Sequence, residues 1–164
     1  MYLILTFVSS ADTVLTDLPE ALPLLEENAN ANAPAVGPVR VRPLRWGNKE
    51  DVKGDDVSHP DLVLVSDCVY YEDAVLPLVE TLRDLSPAEV LISYEERHSE
   101  QKKRVQKAFW EEVRRVKWEL FSEHFIALSL FQVEKYFDTY AFDVDDCHPD
   151  YASPDIKVIR MIKK

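Results

Sequence analysis

Asp61-Leu-Val-Leu-Val-Ser-Asp67-Cys-Val-Tyr70 is the stretch that decides the fold. Leu62 to Ser66 is nearly continuous in apolar character. Such a run reads as a strand buried on both faces, as in a parallel sheet. It stops abruptly in a carboxylate, a thiol and two tyrosines, Tyr70 and Tyr71. Open α/β sheets bind their ligands beyond the carboxyl ends of the strands. Asp67 and Tyr70 therefore fall where chemistry is usually done. The competing reading is a strand-to-helix loop whose aspartate caps the next helix.

Downstream of this strand, Ala74, Leu78 and Leu82 share one helical face, with Val75 and Val79 beside them, and Leu85-Ser86-Pro87 ends the helix. Val90 to Tyr94 is a second buried strand, closed by Glu95-Glu96-Arg97. Val105, Phe109, Val113, Val116 and Leu120 then step at helical intervals, which predicts an amphipathic helix from about His98 to Leu120. Residues 125–142 show no clear period. Asp155 to Ile162 alternates, as a strand at or near a sheet edge would.

Upstream, Thr13 to Thr16 is a short strand ending at Asp17. Pro19 suits the first turn of the following helix. Leu18, Leu22, Leu25 and Ala29 give that helix its stripe, and Asn30, Asn32, Pro34 and Gly37 end it. Val39 to Leu44 reads as a half-buried strand followed by Trp46-Gly47, and Lys49 to Pro60 as a loop. Strands and helices in this alternation predict an α/β domain with a mostly parallel sheet and helices on both faces.

A chain of 164 residues, 46% hydrophobic and 10% aromatic, can bury one real core. Its net charge of −11 argues against a nucleic-acid backbone or an anionic membrane as partner. Met1 to Val8 is apolar but too short to span a bilayer and lacks the basic start of a signal peptide. Cys68 and Cys147 form neither a disulfide framework nor a zinc spacing, so a reducing, cytoplasmic setting is expected. His59, His98, His124 and His148 are scattered, and no pair has metal-ligand spacing.

Three strand ends could carry chemistry. Asp17 stands where nucleoside-binding folds put a carboxylate for ribose hydroxyls, although an aspartate there is often only a helix cap. Trp46 could stack on a planar base, or lie half-buried under its loop. Ser66-Asp67 ends the next strand.

With their flanks, these points resemble a known family. Val14-Leu-Thr-Asp17-Leu, Leu24-Leu-Glu-Glu-Asn-Ala-Asn, Leu44-Arg-Trp46-Gly47, Leu64-Val-Ser-Asp67-Cys-Val-Tyr70-Tyr-Glu and Tyr94-Glu95-Glu-Arg97 are similar to the seven-β-strand protein lysine methyltransferases of the methyltransferase-like group. The Asp-x-x-Tyr signature is the distinctive part; the Asp17 element is generic. The closing Tyr151-x-x-x-Asp155-Ile-Lys-Val-Ile-Arg most resembles the branch that methylates a lysine of the AAA ATPase called valosin-containing protein. The likeness covers residues 11–109 well and 133–164 in part.

The resemblance implies a single Rossmann-like class I methyltransferase domain over residues 1–164, using S-adenosylmethionine to methylate a protein lysine. Asp17 would bind the ribose, Trp46 would lie against the adenine, and Ser66 would lie near the cofactor. Asp67 and Tyr70 would shape the lysine channel as catalytic residues, with Tyr94 and Glu95 on the substrate side.

Two departures shape what is expected of this chain. The family's glycine-rich loop is missing: Gly37, Gly47 and Gly54 are the only glycines, and none precedes Asp17. A βαβ unit needs roughly 30 residues, and 16 precede Asp17. The sequence thus reads as truncated at its N-terminus, without the first strand, cofactor loop and first helix. Residues 1–10 and about 116–132 are also atypical for the family. Weak or absent binding of S-adenosylmethionine is expected, as is low stability, with the Leu62–Val65 strand bare along one edge. The rival from another class is a non-catalytic binding fragment that keeps the surface around Asp67, Tyr70 and Glu95. A dehydrogenase is disfavoured by the same missing glycines.

Overall fold

The computed structural model describes residues 11–36, 39–54, 57, 59–95, 99–115, 137–141 and 156–163. Its elements in chain order are β1 (Val14–Asp17), a 3-10 turn (Pro19–Ala21), α1 (Leu22–Val36), β2 (Arg40–Pro43) and β3 (Leu62–Ser66). Then follow α2 (Glu72–Leu85), β4 (Glu89–Glu95), α3 (Glu100–Arg115), β5 (Phe137–Ala141) and β6 (Ile156–Lys163). The α/β class expected from the alternation is the class observed. The expected helix stretch Val116 to Leu120 and the stretches 1–10 and 116–132, expected to be atypical, lie outside the described residues.

The strands form two sheets. One is the parallel pair β1–β2; the other is four-stranded in the order β3-β4-β6-β5. Helical crossovers make β1–β2 and β3–β4 parallel, whereas β6 runs antiparallel to both β4 and β5. The register lines up Val63 with Val90 and Met161, and Val65 with Ile92 and Ile159. These residues share one face of the sheet. Val75, Val79 and Leu82 of α2 and Val105, Phe109 and Val113 of α3 complete the core on that face. Phe109, Ile92, Met161, Val79, Val90 and Val113 are all fully buried.

Five sequence expectations need correction or refinement. First, β6 lies near the sheet edge, as expected, but is flanked there by a strand that the sequence does not announce. Its neighbour β5 arises from the stretch without a clear period, because its pairing is non-local. Second, of the residues expected to end α1, Asn30, Asn32 and Pro34 lie within it, and it runs to Val36, next to Gly37. Asn32 Nδ2 donates to Asn28 O within the helix at 2.8 Å, so its amide bonds along the helix instead of breaking it. Third, Leu18 lies outside this helix and is exposed; the chain enters α1 through the 3-10 turn instead. Fourth, Asp67 caps nothing. The residue before α2 is Tyr71, with no side-chain capping bond.

Fifth, β3 is not buried throughout. Leu62 is 41% exposed, and only Val65 is fully enclosed. The cause is pairing. Glu89 N–H donates to Asp61 O and Asp67 N–H donates to Ser93 O, so odd-numbered residues of β3 bond toward β4. Leu62, Leu64 and Ser66 direct their backbone groups to the other edge, where no described strand pairs with them. Likewise Arg40 N–H donates to Thr13 O and Leu44 N–H to Asp17 O, which leaves Val14 and Thr16 on an edge without a described strand.

The small sheet is joined to α2 through a second apolar cluster, Leu44, Val52 and Leu85, with Val63 against it. Among the described residues no helix is long and apolar enough to cross a membrane.

Candidate active site

A cavity of about 450 Å³ opens where the two sheets and α2 meet. That volume suits a small-molecule ligand. Three successive residues of β3, Val63, Leu64 and Val65, line it. Neighbours in a strand point to opposite faces, so the cavity abuts the edge of β3 rather than one face.

Asp17, the last residue of β1, is in the wall, and its Oδ1 accepts the Leu18 N–H at 2.7 Å. Only one oxygen is engaged in that bond, so the carboxylate keeps accepting capacity for a ligand hydroxyl. Trp46, which follows β2, is also in the wall and packs against the main core. Tyr70 and Tyr71 close the β3 end, with ring centroids 4.5 Å apart and tilted by 57°. Thus Asp17, Trp46 and Tyr70, far apart in sequence, meet around one space. Ser66, Asp67, Tyr94 and Glu95 are not in its wall.

The turn after β3 is shaped by Asp67, whose φ of 49° places it in the left-handed region. Aspartate tolerates this better than most residues, and such conformations gather at functional sites. The turn leaves the Asp67 side chain exposed and sends Cys68 inward. Cys68 Sγ donates to Ser66 O at 3.2 Å. Burial, chiefly, pushes the Cys68 thiol up to about 11, with the Asp67 and Asp17 charges adding to it. This thiol is therefore no nucleophile at neutral pH. The Tyr70 phenol is also shifted upward, first by burial and then by neighbouring Cys68, Tyr71, Asp17 and Asp67.

Residues Lys102 and Gln106, one turn apart on α3, hold the neighbouring strand ends. Lys102 Nζ donates to Tyr70 O at 3.2 Å, and Gln106 Nε2 donates to Glu95 O at 3.1 Å. Tyr94 packs half-buried against the main core, and Glu95 is exposed at the end of β4. Among the described residues no cluster of His, Cys, Asp and Glu is placed to hold a metal ion.

Reasoning from sequence missed Tyr71 and Thr81 in the cavity wall. Tyr71 adjoins the motif that carries Tyr70. Thr81 has a sharper signal: it is the one hydroxyl among the apolar positions of α2 that face inward.

The fold is that of Rossmann-like methyltransferases. A protein assigned as an rRNA methylase from Clostridium thermocellum superposes with a TM-score of 0.56 at 8% identity, covering 93% of this chain and 75% of that one. PigF, solved with SAH, superposes at 0.52 with 9% identity, over 93% of this chain and 43% of that one. Within that fold the sequence is more specific. Residues 3–113 match the family model described as lysine methyltransferase, and the chain belongs to that family. EEF1A lysine methyltransferase 3 of Mus musculus is 40% identical over 82 residues, 50% of this chain and 34% of that protein. Protein-lysine N-methyltransferase EFM6 of Saccharomyces cerevisiae is 32% identical over 109 residues, 59% of this chain and 43% of that protein. The chain thus spans less than half the length of these curated relatives.

Proposed function

We propose that this chain carries the nucleoside and substrate sides of an S-adenosylmethionine-dependent protein-lysine N-methyltransferase site. The observation behind this is the meeting of Asp17, Trp46 and Tyr70 around one cavity in a lysine methyltransferase family member. The donor set fits the nucleoside half of the cofactor. Asp17 would accept hydrogen bonds from the ribose hydroxyls, Trp46 would lie against the adenine, and Ser66 would lie at the rim. The cofactor, when bound, supplies an activated methyl group on a sulfonium.

The remaining work falls to residues of the chain. Asp67 attracts the incoming lysine ammonium by charge, since its carboxylate is exposed at the turn. Tyr70 and Tyr71 offer aromatic faces that attract cations. As the lysine enters beside them it loses water, and desolvation favours its neutral amine, whose lone pair is the nucleophile. Tyr94 and Glu95 form the neighbouring substrate surface. Two protein substrates compete: the Tyr151–Arg160 motif resembles the branch acting on valosin-containing protein, whereas relatives are named for EEF1A. Thiol usage and the acidic charge favour the cytoplasm as the setting.

A second reading is a binding fragment without turnover. It is favoured by the position of Asp67 and Glu95, exposed and outside the cavity wall. Calorimetric titration with S-adenosylhomocysteine tests the first reading. Weak but saturable binding is expected, lost in Asp17→Ala and reduced further in Trp46→Ala. Methylation assays on valosin-containing protein and EEF1A, with parent and Asp67→Asn, then separate the readings. Turnover that disappears in Asp67→Asn supports catalysis; full turnover in Asp67→Asn overturns the role given to that carboxylate. No turnover by the parent, with a substrate protein still bound, supports the fragment.

A further inference from the structure

The hydroxyl of Thr81 is the polar group that α2 buries most deeply, at 3% residue exposure. It has two partners. Oγ1 donates to Pro77 O at 2.8 Å, one turn back in the helix, and accepts the Gly47 N–H at 2.8 Å. The second bond crosses 34 residues and fastens the turn after β2 to the middle of α2. Gly47 has a φ of 80°, and a Cβ built there would meet Pro77 Cβ at 3.3 Å. The turn can therefore sit this close only because it lacks a side chain at that position.

Trp46 immediately precedes Gly47, and its indole lies in the cavity wall with Thr81 and Pro77. A turn held by a hydrogen bond in its backbone and by direct contact with a helix leaves the adjoining side chain little freedom. We propose that Thr81 is a positioning residue. By binding Gly47 N–H it sets the orientation of the Trp46 indole in the cavity and so the face that Trp46 presents to a planar base. The cavity-facing role of Trp46 is a matter of geometry; its use on the base rests on the function proposed above.

The test is made on the intact chain labelled with 5-fluorotryptophan, whose three fluorine lines arise from Trp46, Trp110 and Trp118. The Trp46 line is assigned with Trp46→Phe. Thr81→Val keeps the shape and removes both hydrogen bonds, and Thr81→Ser restores the hydroxyl. In Thr81→Val the Trp46 line shifts and broadens, the Trp110 line stays, and the Gly47 amide loses hydrogen-exchange protection. In Thr81→Ser the Trp46 line and the Gly47 protection return toward the parent. With the Gly47 bond gone and the indole free to turn, S-adenosylhomocysteine binding is expected to weaken about fivefold in Thr81→Val. Should Thr81→Val fold poorly, Gly47→Ala displaces the same turn from the other side and must move the same line. An unmoved Trp46 line in both folded variants overturns the proposal. A moved line with unchanged affinity, in a parent that binds, overturns the part that concerns the base. If the parent fails to bind at all, the cofactor reading falls, and the Trp46 line alone then decides the positioning role.

Discussion

Strands β1 and β4 are both short apolar strands in parallel pairs, yet they end in different physical states. β4 lies between β3 and β6, and its Val90 and Ile92 are 0% exposed. Among the described strands β1 has β2 on one side only, and Leu15 is its single fully buried residue. The large sheet has α2 and α3 over a common core, whereas the small one has α1, which buries Ala29 against it. A two-stranded sheet is marginal by itself in water. What holds this one is borrowed from its neighbour: Leu44 and Val52 against Leu85, and the Gly47–Thr81 hydrogen bond. The candidate site lies at this junction. One wall is rigid, and the other depends on a few contacts.

The comparison breaks first if the large core can be opened without unfolding the chain. Phe109→Ala is expected to cost about 3–5 kcal/mol, because it empties the centre of the main cluster. Denaturant titration should show both sheets lost together. Leu15→Ala is expected to cost less, about 2 kcal/mol, because Leu15 belongs to neither of the two buried apolar clusters. Hydrogen exchange should then rise in β1 and β2 while β4 and β6 stay protected. Equal losses of protection in both sheets would show one cooperative unit and remove the distinction.

A smaller effect belongs to the loop that follows β2. Arg45 binds Asp51 through two side-chain bonds of 2.8 Å, and Arg45 N–H adds a third at 2.9 Å. The guanidinium holds the Asp51 carboxyl down to about 2. A carboxyl depressed on folding contributes stability above its unfolded value and loses it as pH falls toward the folded one. The loop should therefore loosen between about pH 4 and about pH 2, and Asp51→Asn should flatten that dependence. Thermal melts across that range check it. Smallest of all is the reactivity of Cys68. Its raised, buried thiol should alkylate slowly at pH 8 in a Cys147→Ser background. Leu15→Ala should leave that rate unchanged, since Cys68 belongs to the large core. Faster labelling in that variant would mean that the small sheet guards the large one.

Part of the cavity wall was legible in the sequence, although Ser66, Asp67, Tyr94 and Glu95 fall outside it. Asp17, Trp46 and Tyr70 were each marked by a strand ending abruptly in a functional group, and all three reach the cavity. Thr81 went unnoticed because its partner, Gly47, is 34 residues away. Cys68 and Asp67 could not be told apart as inward and outward residues. That choice is made by the left-handed backbone at Asp67, which no periodicity reports.

Local chemistry alone determined most of the strands and helices, β5 excepted, and that α3 buries Val105, Phe109 and Val113 on one stripe. It determined too that Ser86 and Pro87 follow the end of α2, where Ser86 takes the left-handed conformation that closes a helix. Only the tertiary structure decided how deeply each strand is buried. Leu62–Ser66 and Glu89–Glu95 carry comparable apolar runs, but burial depends on what pairs with both edges of a strand. β4 has a strand on each side, whereas β3 has a described partner on one side and a cavity along the other. Edge pairing is a long-range contact between segments far apart in the chain, so the run of residues within a strand carries no record of it.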